Sequence, residues 1–312
     1  MTIRLALDWT PNTNHTGFYV ALANGYYQQA GLDVQILSPD QDNYQTTPAK
    51  KVHQGQADLA IAPSESVISF HLNGTPMVAV AAVLARDASA IVTLQQSGID
   101  RPKELDGKVY ASYGARFEDE IISQMIINDG GRGHFVSHKP AKLDIWHALL
   151  TNEVDATWIF LPWEGVEADL NDISLNRFQL SDYDISYGYS PVLAANRNWA
   201  SENADALRSF LAATAQGFHL AVDNPEEAAE LLVKTASHPT LANRDFVEQS
   251  QQVAANYYLN SNGQWGVMSP GVWRSFINWL VRNRLLTTQD GELVQELDIN
   301  LLFTNEFLSP GH

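Results

Sequence analysis

Short apolar runs alternate with amphipathic stretches along the first part of the chain. Ile3 to Leu7 reads as a strand and His15 to Ala23 as a helix, with Asn24-Gly25 and Gly31 as left-handed stops at helix ends. Leu32 to Leu37 alternates as a strand, and Tyr44 to Gln54 has helical spacing. Asp58 to Ile61 reads as a strand, Ser64 to Leu72 as a helix, and Met77 to Ala85 as a buried strand. This order predicts an α/β sheet built from parallel crossovers.

The alternation restarts after Asp87. Ala90 to Leu94, Lys108 to Ala111 and Ala156 to Phe160 read as strands, and Phe117 to Asn128 and Trp163 to Leu170 as helices. Glu118, Asp119 and Glu120 in the first turn of one helix complement its dipole. From about Glu202 the pattern turns helical, over Ala204 to Val222, Pro225 to Thr235 and Arg244 to Tyr258. Ser269-Pro270 starts a further helix that buries Val272, Phe276 and Leu280. Trp265, Trp273 and Trp279 read as packing residues.

Two α/β blocks and a helical tail predict two lobes. Lobe I spans 1–87 plus 192–312 and lobe II spans 88–191, so the chain crosses twice, with a ligand cleft expected between the lobes. The length of 312 residues suits two such bodies.

Composition removes several chemistries. There is no cysteine, hence no disulfide, thiolate nucleophile, cysteine zinc site or iron–sulfur cluster. Lys plus Arg is 19 against 36 for Asp plus Glu, a net charge of −17, which argues against nucleic acid or an anionic membrane surface as partner. Zinc-helix, nucleophile-elbow and phosphate-loop motifs are absent, so no catalytic or metal residue is assigned. His134 and His138 are four apart, as a surface strand or loop would place them. Residues 1–9 carry no charged leader with an apolar stretch and a cleavage site. Two compartments stay open: periplasmic or cell-surface for a trimmed mature form, cytoplasmic if Met1 is the native start.

The string Leu7-Asp8-Trp9-Thr10-Pro11-Asn12-Thr13-Asn14-His15-Thr16-Gly17 is specific. It is followed by Ala21-Leu22-Ala23-Asn24-Gly25-Tyr26-Tyr27, Gly31-Leu32-Asp33-Val34 and Gly55-Gln56-Ala57-Asp58-Leu59-Ala60. Gly74-Thr75-Pro76, Tyr113-Gly114, Trp163-Glu164-Gly165 and Met268-Ser269-Pro270 with Trp273 extend the pattern over the whole chain. The chain resembles the family that joins fungal thiamine-pyrimidine synthases to bacterial pyrimidine-precursor-binding proteins of ABC transporters. Nitrate- and sulfonate-binding proteins are more distant relatives. The resemblance implies the α/β periplasmic-binding-protein type II fold.

The resemblance implies two functional branches. In the synthases a lysine holding pyridoxal phosphate and a histidine consumed as pyrimidine source lie just after the Gly-x-x-Asp stretch. The matching positions here are Ala62 and Ser66, with no amine for a Schiff base and no imidazole. The synthases also carry a cysteine-rich motif in the region of Tyr187 to Ser190, where this chain has none. The expected function is therefore a non-enzymatic solute-binding protein for a thiamine-related 4-aminopyrimidine, feeding an ABC importer, with no cofactor. The alternatives are a cytoplasmic synthase-like enzyme or a sensor or carrier derived from a binding protein.

An aminopyrimidine needs aromatic walls for its faces and a carboxylate or amide for its edge. Glu164 is the first candidate for the edge, just past a strand end, where ligands of open α/β sheets collect. The resemblance implies that an aromatic four residues earlier, here Phe160, stacks on the ring. Trp9, Asn12, His15 and Tyr19 are candidates from the first loop and helix, and Ser64 and Glu65 from a helix start expected to expose amides and hydroxyls. Trp163, Tyr187 and Tyr189 are further candidates. Tyr113, Arg116 and Phe117 lie at another helix start; the resemblance implies a phosphate-holding loop there, which leaves a phosphorylated ligand open.

Overall fold

The computed structural model describes residues 1–141 and 144–309. Residues 142, 143 and 310–312, the last of which end the expected lobe I, lie outside the described residues. The chain divides into two compact units. Unit 1 comprises Met1–Asp87, Gly188–Ile277 and Thr287–His312, and unit 2 comprises Ala88–Tyr187 and Asn278–Leu286.

Unit 1 is built on a sheet of β1 (Thr2–Ala6), β2 (Asp33–Leu37), β3 (Leu59–Ala62), β4 (Met77–Ala82) and a late strand. These segments are the apolar runs of the sequence, and β3 and β4 are buried throughout. Unit 2 holds β5 (Ser89–Leu94), β6 (Val109–Ala111), β7 (Val136–His138), β8 (Ala156–Phe160) and β9 (Leu175–Phe178). The late strand of unit 1 is β10 (Val192–Asn196). The strand orders are β2-β1-β3-β10-β4 and β7-β6-β8-β5-β9.

Neither sheet is all parallel, as crossovers alone would make it. β10 runs antiparallel to β3 and β4, and β5 runs antiparallel to β8 and β9. Each inserted strand lies next to a point where the chain passes from one unit to the other. The remaining pairs β1–β2, β1–β3, β6–β7 and β6–β8 are parallel. Both sheets therefore share one plan: three parallel strands, an antiparallel strand in the fourth position, and a fifth strand antiparallel to that one.

Several predicted elements differ in extent. The helix expected from Tyr44 begins at Pro48, because Thr47 caps it and Pro48 fits its first turn. Residues 44–47 instead follow a short turn over Pro39–Asp42. Trp163 to Leu170 is split into a wide helical turn, Leu161–Gly165, and a helix, Val166–Leu170. The helix Pro270–Arg282 buries Trp273, Phe276 and Leu280, while Val272 is only half-buried. Trp265 and Trp279 are buried as expected, and His138 ends the exposed strand β7.

The helices of unit 1 pin the loop after β1. Gln251, fully buried on the helix Arg244–Tyr258, accepts from Thr16 Oγ1 at 2.6 Å and from the Tyr258 hydroxyl at 3.0 Å. Its Nε2 donates to the Ala221 carbonyl at 3.0 Å, and Tyr258 also donates to the Thr13 carbonyl at 2.6 Å. A buried polar network of this kind is stabilising only when every member is paired. Among the described residues no helix is long and apolar enough to cross a membrane.

Candidate functional site

Most of the candidate residues follow the carboxyl ends of parallel strands in both units, where open α/β sheets place their ligands; Tyr187 and Tyr189 instead precede β10. In unit 1, Asp8 and Trp9 follow β1, Asp40 and Tyr44 follow β2, and Ser64 and Glu65 follow β3. In unit 2, Tyr113 to Glu118 follow β6, and Trp163 and Glu164 follow β8.

His15 organises the unit 1 group. It is fully buried and accepts from the Asn12 backbone N–H at Nδ1, 3.3 Å. That bond leaves the proton on Nε2, which donates to Asp8 Oδ1 at 2.8 Å. Asn12 caps the turn Thr13–His15: its Oδ1 accepts from the Asn14 N–H at 2.9 Å and its Nδ2 donates to the Thr10 carbonyl at 3.1 Å. Both ends of the Asn12 amide thus serve its own loop. Trp9, half-buried, lies 5.4 Å from the Tyr44 ring at a tilt of 58°. Tyr19 is buried, and its phenol is pushed above its ordinary range by burial and by the Asp40 charge.

The start of the helix Ser64–Leu72 is not the exposed feature expected. Ser64 and Glu65 are buried, and the Ser64 N–H donates to the Tyr189 carbonyl at 2.9 Å. The turn is covered because the segment leading into β10 packs on it; a Cβ on Gly188 would meet Ser64 Oγ at 2.4 Å. Tyr189 is itself buried, its hydroxyl accepting from the Ser269 N–H at 2.8 Å.

Glu164 is a raised carboxyl of unit 2. The wide turn after β8 folds its carboxyl back, so Oε2 accepts from the Phe160 N–H at 3.0 Å. Burial pushes this carboxyl up to about 7, against the pull of the Phe160 and Glu164 backbone N–H groups; Glu167 adds a smaller push. Tyr113 stands nearby, its phenol raised well above the ordinary range by burial and then by the charges of Glu164 and Glu118. Phe160 and Trp163 are half-buried beside them in sequence, and Phe117 is buried under the exposed Arg116, whose guanidinium lies 5.4 Å over its ring.

Three residues escaped the sequence reading as site candidates. Trp158 shares a face of β8 with Phe160, two residues on, and meets Tyr187 at 5.2 Å; the two-residue period was the available signal. Asp8 was legible only as part of the first string, because its partner His15 is set by the loop fold. Glu118 reads as a helix-capping acid, whereas its carboxyl reaches back to the loop before the helix. An open recess of about 420 Å³ in unit 2, lined by residues such as Asp119, Ser123, Phe135 and Leu285, contains none of the candidates. Among the described residues no group of three or more His, Asp or Glu is placed to hold a metal.

A family model described as NMT1/THI5 like matches residues 12–228. The chain belongs to the NMT1/THI5-like family. The formylaminopyrimidine-binding protein of Halalkalibacterium halodurans is 28% identical over 285 residues, covering 89% of this chain and 84% of that protein. A 4-amino-5-hydroxymethyl-2-methylpyrimidine phosphate synthase of Legionella pneumophila is 22% identical over 238 residues, covering 74% and 72%. Among solved structures, the alkanesulfonate-binding protein SsuA of Xanthomonas axonopodis superposes with a TM-score of 0.70 at 14% identity, covering 92% of this chain and 94% of that one. The fold is thus that of the type II periplasmic solute-binding proteins. The relative covering 89% of the chain and this structural neighbour are both named as binding proteins.

Proposed function

We propose that this chain is a solute-binding protein for a thiamine-related 4-aminopyrimidine, of the formylaminopyrimidine or hydroxymethylpyrimidine type, serving an ABC importer in thiamine salvage. The observation that carries the ligand reading is the Glu164 carboxyl, raised to about 7 at the end of β8 beside Phe160 and Tyr113. A 4-aminopyrimidine edge sets a ring-nitrogen acceptor beside an amine donor. A carboxyl carrying one proton answers both, its O–H donating to the ring nitrogen and its other oxygen accepting from the amine. The same pair forms if the proton sits on the ring and the carboxyl is ionised. Aromatic contacts add about 0.5–1.5 kcal/mol each beyond area burial. The similarity to a formylaminopyrimidine-binding protein over most of the chain supports the same ligand class.

The synthase alternative has little support in the residues. Ala62 ends β3, buried, and offers no amine for a Schiff base; Ser66 offers no imidazole. Calorimetry with formylaminopyrimidine, hydroxymethylpyrimidine and thiamine tests the proposal. One of the two precursors is expected to bind one-to-one, and binding by none of the three would overturn the ligand assignment. A Schiff-base absorption on adding pyridoxal phosphate would favour the enzyme instead.

A further inference from the structure

The loop between β6 and the helix Glu118–Asn128 presents three successive backbone N–H groups, of Tyr113, Gly114 and Ala115, with Gly114 at φ 71°. Successive N–H groups in such a turn form a concavity suited to an anion. In this chain that concavity is filled from within. Glu118 Oε1 accepts from the Tyr113 N–H at 3.0 Å and from the Tyr110 hydroxyl at 2.8 Å, and Oε2 accepts from the Ala115 N–H at 3.1 Å. The Gly114 N–H donates to Ser112 Oγ at 3.0 Å, and that hydroxyl is bonded to Glu118 in turn. Glu118 is only 2% exposed. Burial raises this carboxyl, and the donors that converge on both of its oxygens pull it back toward the ionised form.

We propose that Glu118 is a specificity-determining residue that keeps anionic ligands out of this end of unit 2. It occupies the N–H groups an incoming phosphate would need, and it places a buried negative charge against it. Glu164, which acts on the same Tyr113, adds a second acid to the neighbourhood. The inference rests on the aminopyrimidine reading and sharpens it: the 5-substituent is uncharged, such as a hydroxymethyl or formylaminomethyl group, and not a phosphate monoester.

The test titrates hydroxymethylpyrimidine and its phosphate ester into the wild-type protein and Glu118→Gln, which keeps the size and removes the charge. The wild type is expected to prefer the alcohol by about a hundredfold, and Glu118→Gln to narrow that gap by about tenfold through gained affinity for the ester. Equal or tighter wild-type binding of the ester would overturn the proposal, as would a folded Glu118→Gln with the full gap. If the variant does not fold by circular dichroism, the wild-type preference decides alone. If the wild type binds neither pyrimidine, the ligand reading fails and inorganic phosphate decides the loop. Phosphate should then raise the melting temperature of Glu118→Gln and not of the wild type; no rise in the variant, or an equal rise in both, would count against it.

Discussion

Glu164 Oε2 accepts a hydrogen bond from the Phe160 N–H at 3.0 Å, four residues back across the turn that closes β8. This contact ties the carboxyl to the strand end. Burial pushes the carboxyl up to about 7, against the pull of this bond.

The sign of the pH effect on stability follows. Between 4.5 and about 7 the native protein holds a proton at Glu164 that the unfolded chain releases. The contribution is complete below 4.5 and is lost as pH rises through about 7, with a total near 3 kcal/mol as an order of magnitude. Glu164→Gln should remove this slope. Urea unfolding of both proteins across that range checks it; parallel profiles would assign the proton elsewhere.

Ligand affinity should follow the same proton. Above about 7 neither Glu164 nor the ring carries it, and binding is expected to weaken by about tenfold per pH unit. In Glu164→Gln the amide still offers an oxygen and an NH₂ group, but it cannot ionise, so the charge-assisted pair of carboxylate and protonated ring is lost. The variant should bind more weakly by ~1.5–3 kcal/mol, with a flat pH profile. Calorimetry at several pH values reads both effects.

His15 should matter through Asp8. Its imidazole is buried, bonded at Nδ1 to the Asn12 N–H and at Nε2 to Asp8. His15→Ala leaves a cavity and an unpaired N–H, at a cost of about 2–4 kcal/mol in unfolding free energy. A loss below about 1 kcal/mol would mean that the loop repacks without the ring.

The parts of the fold legible in the sequence are those with local signals. Ser64–Leu72, Ala156–Phe160 and Arg244–Tyr258 have the bounds their periodicity predicts. The stretch of β7 reads only as a surface strand or loop, because Val136, Ser137 and His138 are all exposed and carry no alternation of apolar and polar positions. β10 is an apolar run, but its place between β3 and β4 depends on pairing with residues more than a hundred positions away. The site divides in the same way. The position of Glu164 after a strand is a local property, whereas the reach of Glu118 to the Tyr113 and Ala115 N–H groups depends on how the loop turns back.

Gln251 is expected to be among the more sensitive polar residues of unit 1. Gln251→Leu keeps its approximate volume but leaves the Ala221 carbonyl without this donor and removes one acceptor each from the Thr16 and Tyr258 hydroxyls, which keep the Thr13 carbonyl. The unpaired carbonyl costs about 1–3 kcal/mol and each lost hydroxyl bond about 0.5–1.5 kcal/mol, so a loss of a few kcal/mol in denaturant unfolding is expected. Tyr258→Phe, which removes one hydroxyl shared between Gln251 and Thr13, should cost less.

Gly17 and Gly217 bring two helices of unit 1, Thr16–Ala23 and Ala204–Asp223, to backbone contact. A Cβ on Gly217 would lie 2.0 Å from the Gly17 carbonyl oxygen, and one on Gly17 would lie 2.2 Å from Phe218 Cδ2. In an unobstructed helix interior, alanine is favoured over glycine by about 1 kcal/mol. Here the sign should reverse, because backbone rather than a side-chain tip must yield, and Gly217→Ala should destabilise by about 1–3 kcal/mol or more. Gly271→Ala is the control, since its Cβ meets only Ser269 Oγ at 3.3 Å. Thermal and urea unfolding of the two variants separate the cases. A Gly217→Ala protein as stable as Gly271→Ala would show that the helices can part without cost.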